Sequence, residues 1–225
     1  MKIIAHRGAS NLKPENTLES IKKAMELNAD WIEIDIRITK DQNPVIIHDP
    51  QVNRTTNGQG LVKEMNISEI KKLDAGGGEA PPHLEEVLQL VNGKLPLILE
   101  LKVPDSFPII SEYLRNYDLE KIMIASFYHK RLLEIKEIES EIKTGAIFYG
   151  GPVKLHEIAL NCKCEYIFPH KDFLDILMVD ECHDHQIKLY PWVVDHSNEL
   201  KGLKEMGVDG IVTNRIEKWA KNDIK

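Results

Sequence analysis

The chain has 225 residues, 42% hydrophobic and 29% charged, with a net charge of -7. That length and composition suit a folded domain with a sizeable core. The acidic balance argues against general binding to nucleic acid or anionic membrane, though a pocket can still be locally positive and take a small anion.

The three cysteines, Cys162, Cys164 and Cys182, are odd in number and irregularly spaced, a poor disulfide framework that suits a reducing compartment. No apolar run approaches transmembrane length, and Met1–Ala5 leads straight into His6-Arg7-Gly8, leaving no room for a signal peptide. The expectation is a cytoplasmic protein without stable membrane insertion, a single domain over 1–225.

The first strand is expected at 2–6. A helix follows, which Asn16 can cap, with Glu19 three residues on as in a capping box. Leu18, Ile21, Ala24, Met25 and Leu27 then recur near helical spacing. The second strand is expected at 31–37. Between Ile38 and Leu84 the rhythm breaks. A short extra strand is expected at 44–48, and Gly58, Gly60 and Gly76-Gly77-Gly78 mark loops. An insertion of this kind in a barrel belongs at the functional face. From Leu84 the alternation resumes, with helices expected at 84–91, 108–116, 130–139, 154–161, 174–183, 197–206 and 216–220. The intervening strands are expected at 97–102, 122–126, 143–148, 166–169, 188–194 and 210–214. Eight strands alternating with eight helices point to an α/β fold, a closed (β/α)₈ barrel with a short insertion after its second strand. An open doubly wound sheet shares the same periodicity.

Within the second strand, side chains at i and i+2 share a face. Trp31, Glu33, Asp35 and Arg37 point one way and Ile32, Ile34, Ile36 and Ile38 the other. The isoleucines are expected against helices and the carboxylates inside the barrel. The next strand repeats the pattern, with Glu100 and Lys102 on one face. Inward carboxylates repel and lose hydration, so they need a cation or a shared proton. Glu33, Asp35 and Glu100 suit a hard divalent ion, Mg²⁺ or Ca²⁺. A buried ion-pair network, Glu33–Arg37 and Glu100–Lys102, satisfies the same spacing without metal. His6 and His48 end strands, where a barrel keeps its chemistry, and can act as general acid and base. Arg7 can clamp a phosphate and Lys102 offers a point charge.

Taken in order, His6-Arg7-Gly8, Pro14-Glu15-Asn16-Thr17, Glu33-Ile34-Asp35, His48-Asp49 and Glu100-Leu101-Lys102 resemble the glycerophosphodiester phosphodiesterase family. Ser126-Phe127, Trp192 and Gly207-Val208-Asp209-Gly210-Ile211-Val212-Thr213 continue the resemblance along nearly the whole chain. The resemblance implies a TIM barrel with one divalent cation on Glu33, Asp35 and Glu100. It implies His6 and His48 as the acid–base pair, leaning to His6 as base and His48 as acid, with Arg7 and Lys102 on the phosphate. The implied substrate is a glycerophosphodiester, cleaved to sn-glycerol 3-phosphate and an alcohol, by water or by glycerol's own 2-hydroxyl. Trp192 would line the substrate pocket and Glu15 would orient Arg7.

Four places depart from the family pattern: Gly77-Gly78-Glu79 where aromatics are usual, His83 for Thr, Asp195 for Asn, and Asn214 for Asp. None is expected to touch the metal or the histidines. Two other functions share much of this pattern. One is a barrel that binds a phosphorylated metabolite without turnover. The other is a lysophospholipase D-like lipid phosphodiesterase, which an exposed apolar rim would favour. Cys182-His183-Asp184-His185 and Cys162-Lys163-Cys164 mimic metal motifs but lack a second ligand cluster or the right spacing, and are read as a solvated helix end and as packing. His170 is read as a locally bonded histidine, and Gly76-Gly77-Gly78 lacks the preceding strand of a phosphate loop.

Overall fold

A computed structural model describes residues 1–219. Eight parallel strands form its centre: β1 (Lys2–His6), β2 (Trp31–Ile38), β4 (Leu97–Leu101), β5 (Ile122–Ser126), β6 (Lys143–Phe148), β7 (Tyr166–Pro169), β8 (Lys188–Leu189) and β9 (Gly210–Thr213). They run in the order β8-β7-β6-β5-β4-β2-β1-β9. The two ends of this path meet through Asp209 N–H to Leu189 O (3.2 Å) and Val212 N–H to Pro191 O (3.0 Å), which nearly closes the barrel. Helices α1 (Leu18–Glu26), α3 (Leu84–Val91), α4 (Phe107–Leu114), α5 (His129–Ile138), α6 (Leu155–Asn161), α7 (Ile176–Asp184) and α8 (Ser197–Met206) return the chain between strands.

The insertion after β2 carries β3 (Pro44–Ile46), antiparallel to β2, and the short helix α2 (Ile67–Ile70). Val45, Ile47, Val52, Val62 and Ile70 give it a small core of its own.

The face prediction for β2 holds. Ile32, Ile34 and Ile36 join the large core between barrel and helices, whereas Trp31 joins the inner cluster with Ile4, Ile98, Met123, Tyr166 and Phe168. That inner cluster packs inside the barrel, and the polar groups of β2 and β4 follow Trp31 and Ile98 toward the C-terminal ends of those strands, where barrels keep their chemistry. Barrel closure needs Gly210: a Cβ there would lie 2.7 Å from the Lys2 carbonyl. Gly8 is needed for the same kind of reason, with φ +79° and a Cβ position 2.6 Å from the Ser20 backbone.

Three expectations change. The strand expected at 188–194 ends at Leu189, because Pro191 has no N–H for the ladder, though Trp192 still bridges His170. The helix expected at 216–220 is a 3-10 turn over Ile216–Lys218, and Ala220 lies outside the described residues. Thr17, not Asn16, caps α1: its hydroxyl accepts from Ser20 N–H (3.2 Å) while the Ser20 hydroxyl accepts from Thr17 N–H (3.2 Å). All three cysteines are free and buried. Among the described residues, no helix is long and apolar enough to cross a membrane.

Candidate active site

Strand register assembles the polar cluster. His6 stands beside Glu33 across β1 and β2, and Asp35 stands beside Glu100 across β2 and β4. Neighbouring parallel strands lie about 4.8 Å apart, which is within reach of a shared ion. Carboxylate oxygens of Glu33, Asp35 and Glu100 lie within 4.8 Å of one another, and all three residues are buried. Among the described residues this is the one group with such geometry.

Two cations already touch the cluster. Lys102 Nζ lies 3.0 Å from Asp35 Oδ1 and also pairs with Glu100. Arg7 Nε lies 3.1 Å from Asp35 Oδ2. Arg7 N–H donates to Glu33 Oε2 (3.0 Å), and Arg7 holds φ +57°, a left-handed conformation costly for a residue with a side chain. The alternative Glu33–Arg37 pair does not form, since Arg37 Nε donates instead to the His48 carbonyl (2.7 Å).

These cations do not balance the carboxylates evenly. Burial pushes Asp35 up, but Lys102 and Arg7 outweigh it and hold Asp35 below the usual carboxylate range. Burial, then Asp35 and Glu100, drive Glu33 well above its ordinary value. Burial and then Asp35 push Glu100 up to about 7. Glu33 Oε1 is buried with no hydrogen-bond partner. An all-oxygen cluster with an orphaned carboxylate oxygen and two carboxyls reluctant to ionise fits a hard divalent cation.

Both histidines are anchored through Nδ1, but by different partners. His6 Nδ1 lies 2.7 Å from Asn214 Oδ1, and the Asn214 amide donates to Asp195 Oδ2 (2.9 Å). The amide is committed, so Oδ1 accepts and His6 Nδ1 carries the proton. His6 Nε2 is then bare and lies 4.0 Å from Glu33 Oε2. Burial, then Arg7, lowers His6 to about 4. His48 Nδ1 lies 2.6 Å from Asp49 Oδ1, a carboxylate that can only accept. Burial and Lys102 lower His48, against the opposing pull of Asp35 and Asp49.

Glu15 meets Arg7 Nη1 at 2.8 Å, as sequence reasoning allowed. Arg54, which that reasoning missed, clamps both Glu15 (2.9 and 2.8 Å) and Asp49 (2.7 and 3.0 Å), tying the supports of Arg7 and His48 together. Asn16, expected as a cap, sits at φ +58° with its amide donating to Asp35 Oδ2 (2.7 Å). The expectation that the departures from the family pattern avoid the histidines is also corrected, because Asn214 holds His6 and Asp195 holds Asn214. No local signal marks that contact, which spans 208 residues of sequence. His83 takes over as the cap of α3, its Nδ1 accepting from Glu85 N–H (3.2 Å).

His6, Arg7, Glu33, His48, Glu100 and Lys102 line one side of a cavity of about 240 Å³. Ile98, Ala125, Phe127, Ile147, Phe168, Trp192, Val193 and Val212 line the rest. Trp192 donates from Nε1 to the Phe168 carbonyl (2.8 Å), which fixes its ring. Phe127 packs edge-on against Trp192 at 6.0 Å between centroids, and Tyr149 lies 6.3 Å from it. His170 meets Trp192 edge to face at 5.0 Å and does not line the cavity.

Comparison with known proteins matches this arrangement. Residues 6–218 match the Glycerophosphoryl diester phosphodiesterase family. A glycerophosphodiester phosphodiesterase of Caldanaerobacter subterraneus subsp. tengcongensis is 37% identical, over 96% of this chain and 94% of its own length. One of Bacillus subtilis is 30% identical, over 94% of this chain and 82% of its own. The structure of an Oleispira antarctica phosphodiesterase in complex with the product sn-glycerol-3-phosphate superposes with a TM-score of 0.91, at 28% identity, covering 97% of this chain and 94% of that one. By sequence along almost its whole length and by fold, the chain belongs to the glycerophosphoryl diester phosphodiesterase family and is an enzyme of that family.

Proposed function

We propose that the chain, as one domain over 1–225, hydrolyses glycerophosphodiesters to sn-glycerol 3-phosphate and an alcohol by metal-dependent acid–base catalysis. The observation that carries this is the pair of histidines, each anchored at Nδ1 and free at Nε2, converging on one cavity with three buried carboxylates. Glu33, Asp35 and Glu100 would hold one divalent cation, Mg²⁺ or Ca²⁺. When bound, it supplies Lewis acidity to the phosphate and lowers the pKa of the attacking hydroxyl.

The residues divide the remaining work. Arg7 and Lys102 face the phosphate and offset the charge gathering on its non-bridging oxygens. Glu15 keeps Arg7 in position. His6 Nε2 takes the proton of the attacking oxygen as its bond to phosphorus forms. His48 Nε2 gives a proton to the leaving oxygen as its bond to phosphorus breaks. The difference in partners favours this division. His6 rests on a neutral amide, which suits an imidazole that starts neutral. His48 rests on the Asp49 carboxylate, which supports the imidazolium an acid needs. Trp192 and the apolar side of the cavity receive the uncharged part of the substrate.

Purified protein should release glycerol phosphate from glycerophosphocholine and glycerophosphoethanolamine, and chelator should abolish it. Full activity in chelator would remove the metal from the mechanism, and no release under any condition would favour a binding barrel without turnover. The exposed rings of Phe127 and Tyr149, 47% and 61% accessible beside Trp192, favour a second reading, a single-chain lipid phosphodiester. Turnover of lysophosphatidylcholine well above that of glycerophosphocholine would select it.

A further inference from the structure

A second cavity, of about 490 Å³, opens between the insertion and the loop after β4. Arg37 lines it, and Arg37 Nε donates to the carbonyl of His48, which lines the catalytic cavity (2.7 Å). One hydrogen bond therefore links the linings of the two cavities. Arg37 lies two residues beyond Asp35 on the same face of β2, roughly 7 Å along the strand.

The charge in this second cavity is unusual for the molecule. Three cations line it, Arg37, Lys40 and Lys63, against one acid, Asp105. Asp105 is already paired with Arg131 (2.9 Å). No carboxylate meets Arg37, and neither lysine ammonium has an ion-pair or hydrogen-bond partner among the described residues. Elsewhere in this acidic chain, whose net charge is -7, the basic groups near the mouth are paired: Arg7 and Lys102 with Asp35, and Arg54 with Glu15 and Asp49. Ser106, on the cavity wall, starts α4, whose first turn has no acid and no side-chain cap, so the helix dipole adds to the positive field. Three cations that line one cavity without an ion-pair partner offer an anion a ready counter-charge, although Asp35 and Asp49 already attract Arg37 from further away.

We propose that this cavity is a binding site for a second phosphate group, held by Arg37, Lys40 and Lys63 beside the catalytic centre. The phosphate has two sources. It is carried on the leaving alcohol of the substrate, or it belongs to a separate phosphorylated molecule. The first source rests on the phosphodiesterase reading; the second does not.

The test pairs kinetics with calorimetry on the metal-loaded protein and on its Lys40→Ala/Lys63→Ala variant. Both lysines are exposed and outside the catalytic set. If the substrate carries the phosphate, the variant should lose about tenfold in kcat/KM on 1,3-bis(sn-glycero-3-phospho)glycerol and keep its rate on glycerophosphocholine. That is the scale of two half-screened charge contacts. If the phosphate is separate, titration with sn-glycerol 3-phosphate should show two binding events in the wild type and one in the variant. An unchanged variant in both arms, or an equal loss on both substrates, overturns the site. Should neither substrate turn over at all, the phosphodiesterase reading fails and calorimetry alone decides the cavity.

Discussion

The half of the barrel built from β1, β2 and β4, with the insertion, sends His6, Arg7, Glu33, His48, Glu100 and Lys102 into the candidate catalytic cavity, with Ile98 as its one apolar residue there. The half from β5 to β9 sends Ala125, Phe127, Ile147, Phe168, Trp192, Val193 and Val212. One wall carries charge and the other carries shape. The apolar wall is not passive, because it strips water from the charged one. Burial is the first cause of the shifts at Glu33, Glu100 and His6. A carboxyl pushed up to about 7 and an imidazole lowered to about 4 on the same wall show how far low polarity spreads ionisation behaviour when partners differ.

The division can be broken most severely on its charged side. His6→Ala should lower kcat/KM by about 10³–10⁴ with an unchanged circular dichroism spectrum, the upper range for removing a general base. A loss under tenfold would take the base role from His6. His48→Ala should cost about 10²–10³ on an alkyl leaving group. It should cost far less on a nitrophenyl phosphodiester, whose leaving group departs without a proton. Equal losses on both substrates would deny His48 the acid role. The apolar side should respond differently. Trp192→Ala should raise KM about fivefold while kcat stays within about twofold, because it removes packing and not charge. A large fall in kcat instead would erase the contrast between the walls.

Stability should report the same wall without substrate. Glu33 and Glu100 have raised values, so their contribution is fully present below the ordinary carboxylate range and is lost as pH rises through the folded values, about 7 for Glu100. His6, lowered from 6.5 to about 4, works the other way and gains stability across that lower window. Above about pH 6.5 His6 no longer contributes, and the two raised carboxyls carry the slope. Tm in chelator should therefore fall by a few degrees between about pH 6.5 and 8, and saturating Mg²⁺ or Ca²⁺ should flatten that slope. A slope unchanged by metal would mean that the carboxylates do not hold it. Arg54→Ala should have the smallest effect, about twofold to threefold in kcat, because it removes only the outer tie between Glu15 and Asp49.

Much of the charged wall was legible in the sequence. Alternation along β2 and β4 put Glu33, Asp35, Glu100 and Lys102 on one face, and the end of β1 placed His6; the strand expected at 44–48 ends at Ile46, so His48 stands two residues beyond it. The apolar wall was less legible, because a lone aromatic such as Phe127 has no period to betray which way it faces. The short β8 escaped for another reason: an apolar run reads as a strand even where Pro191 removes a ladder donor.

The amino-acid sequence by itself determined the strand–helix alternation, the faces of β2 and β4, and the inventory of chemical groups at the mouth. These follow from chain geometry over two to four residues, which any sequence displays. Tertiary structure alone decided the partners. It gave His6 the neutral Asn214 and His48 the charged Asp49, turned Asn16 from a helix cap into a ligand of Asp35, and left Glu33 Oε1 orphaned. Those choices depend on which distant side chains share a few ångströms of low-dielectric space. No local period encodes that distance, and it is what gives the two histidines different partners.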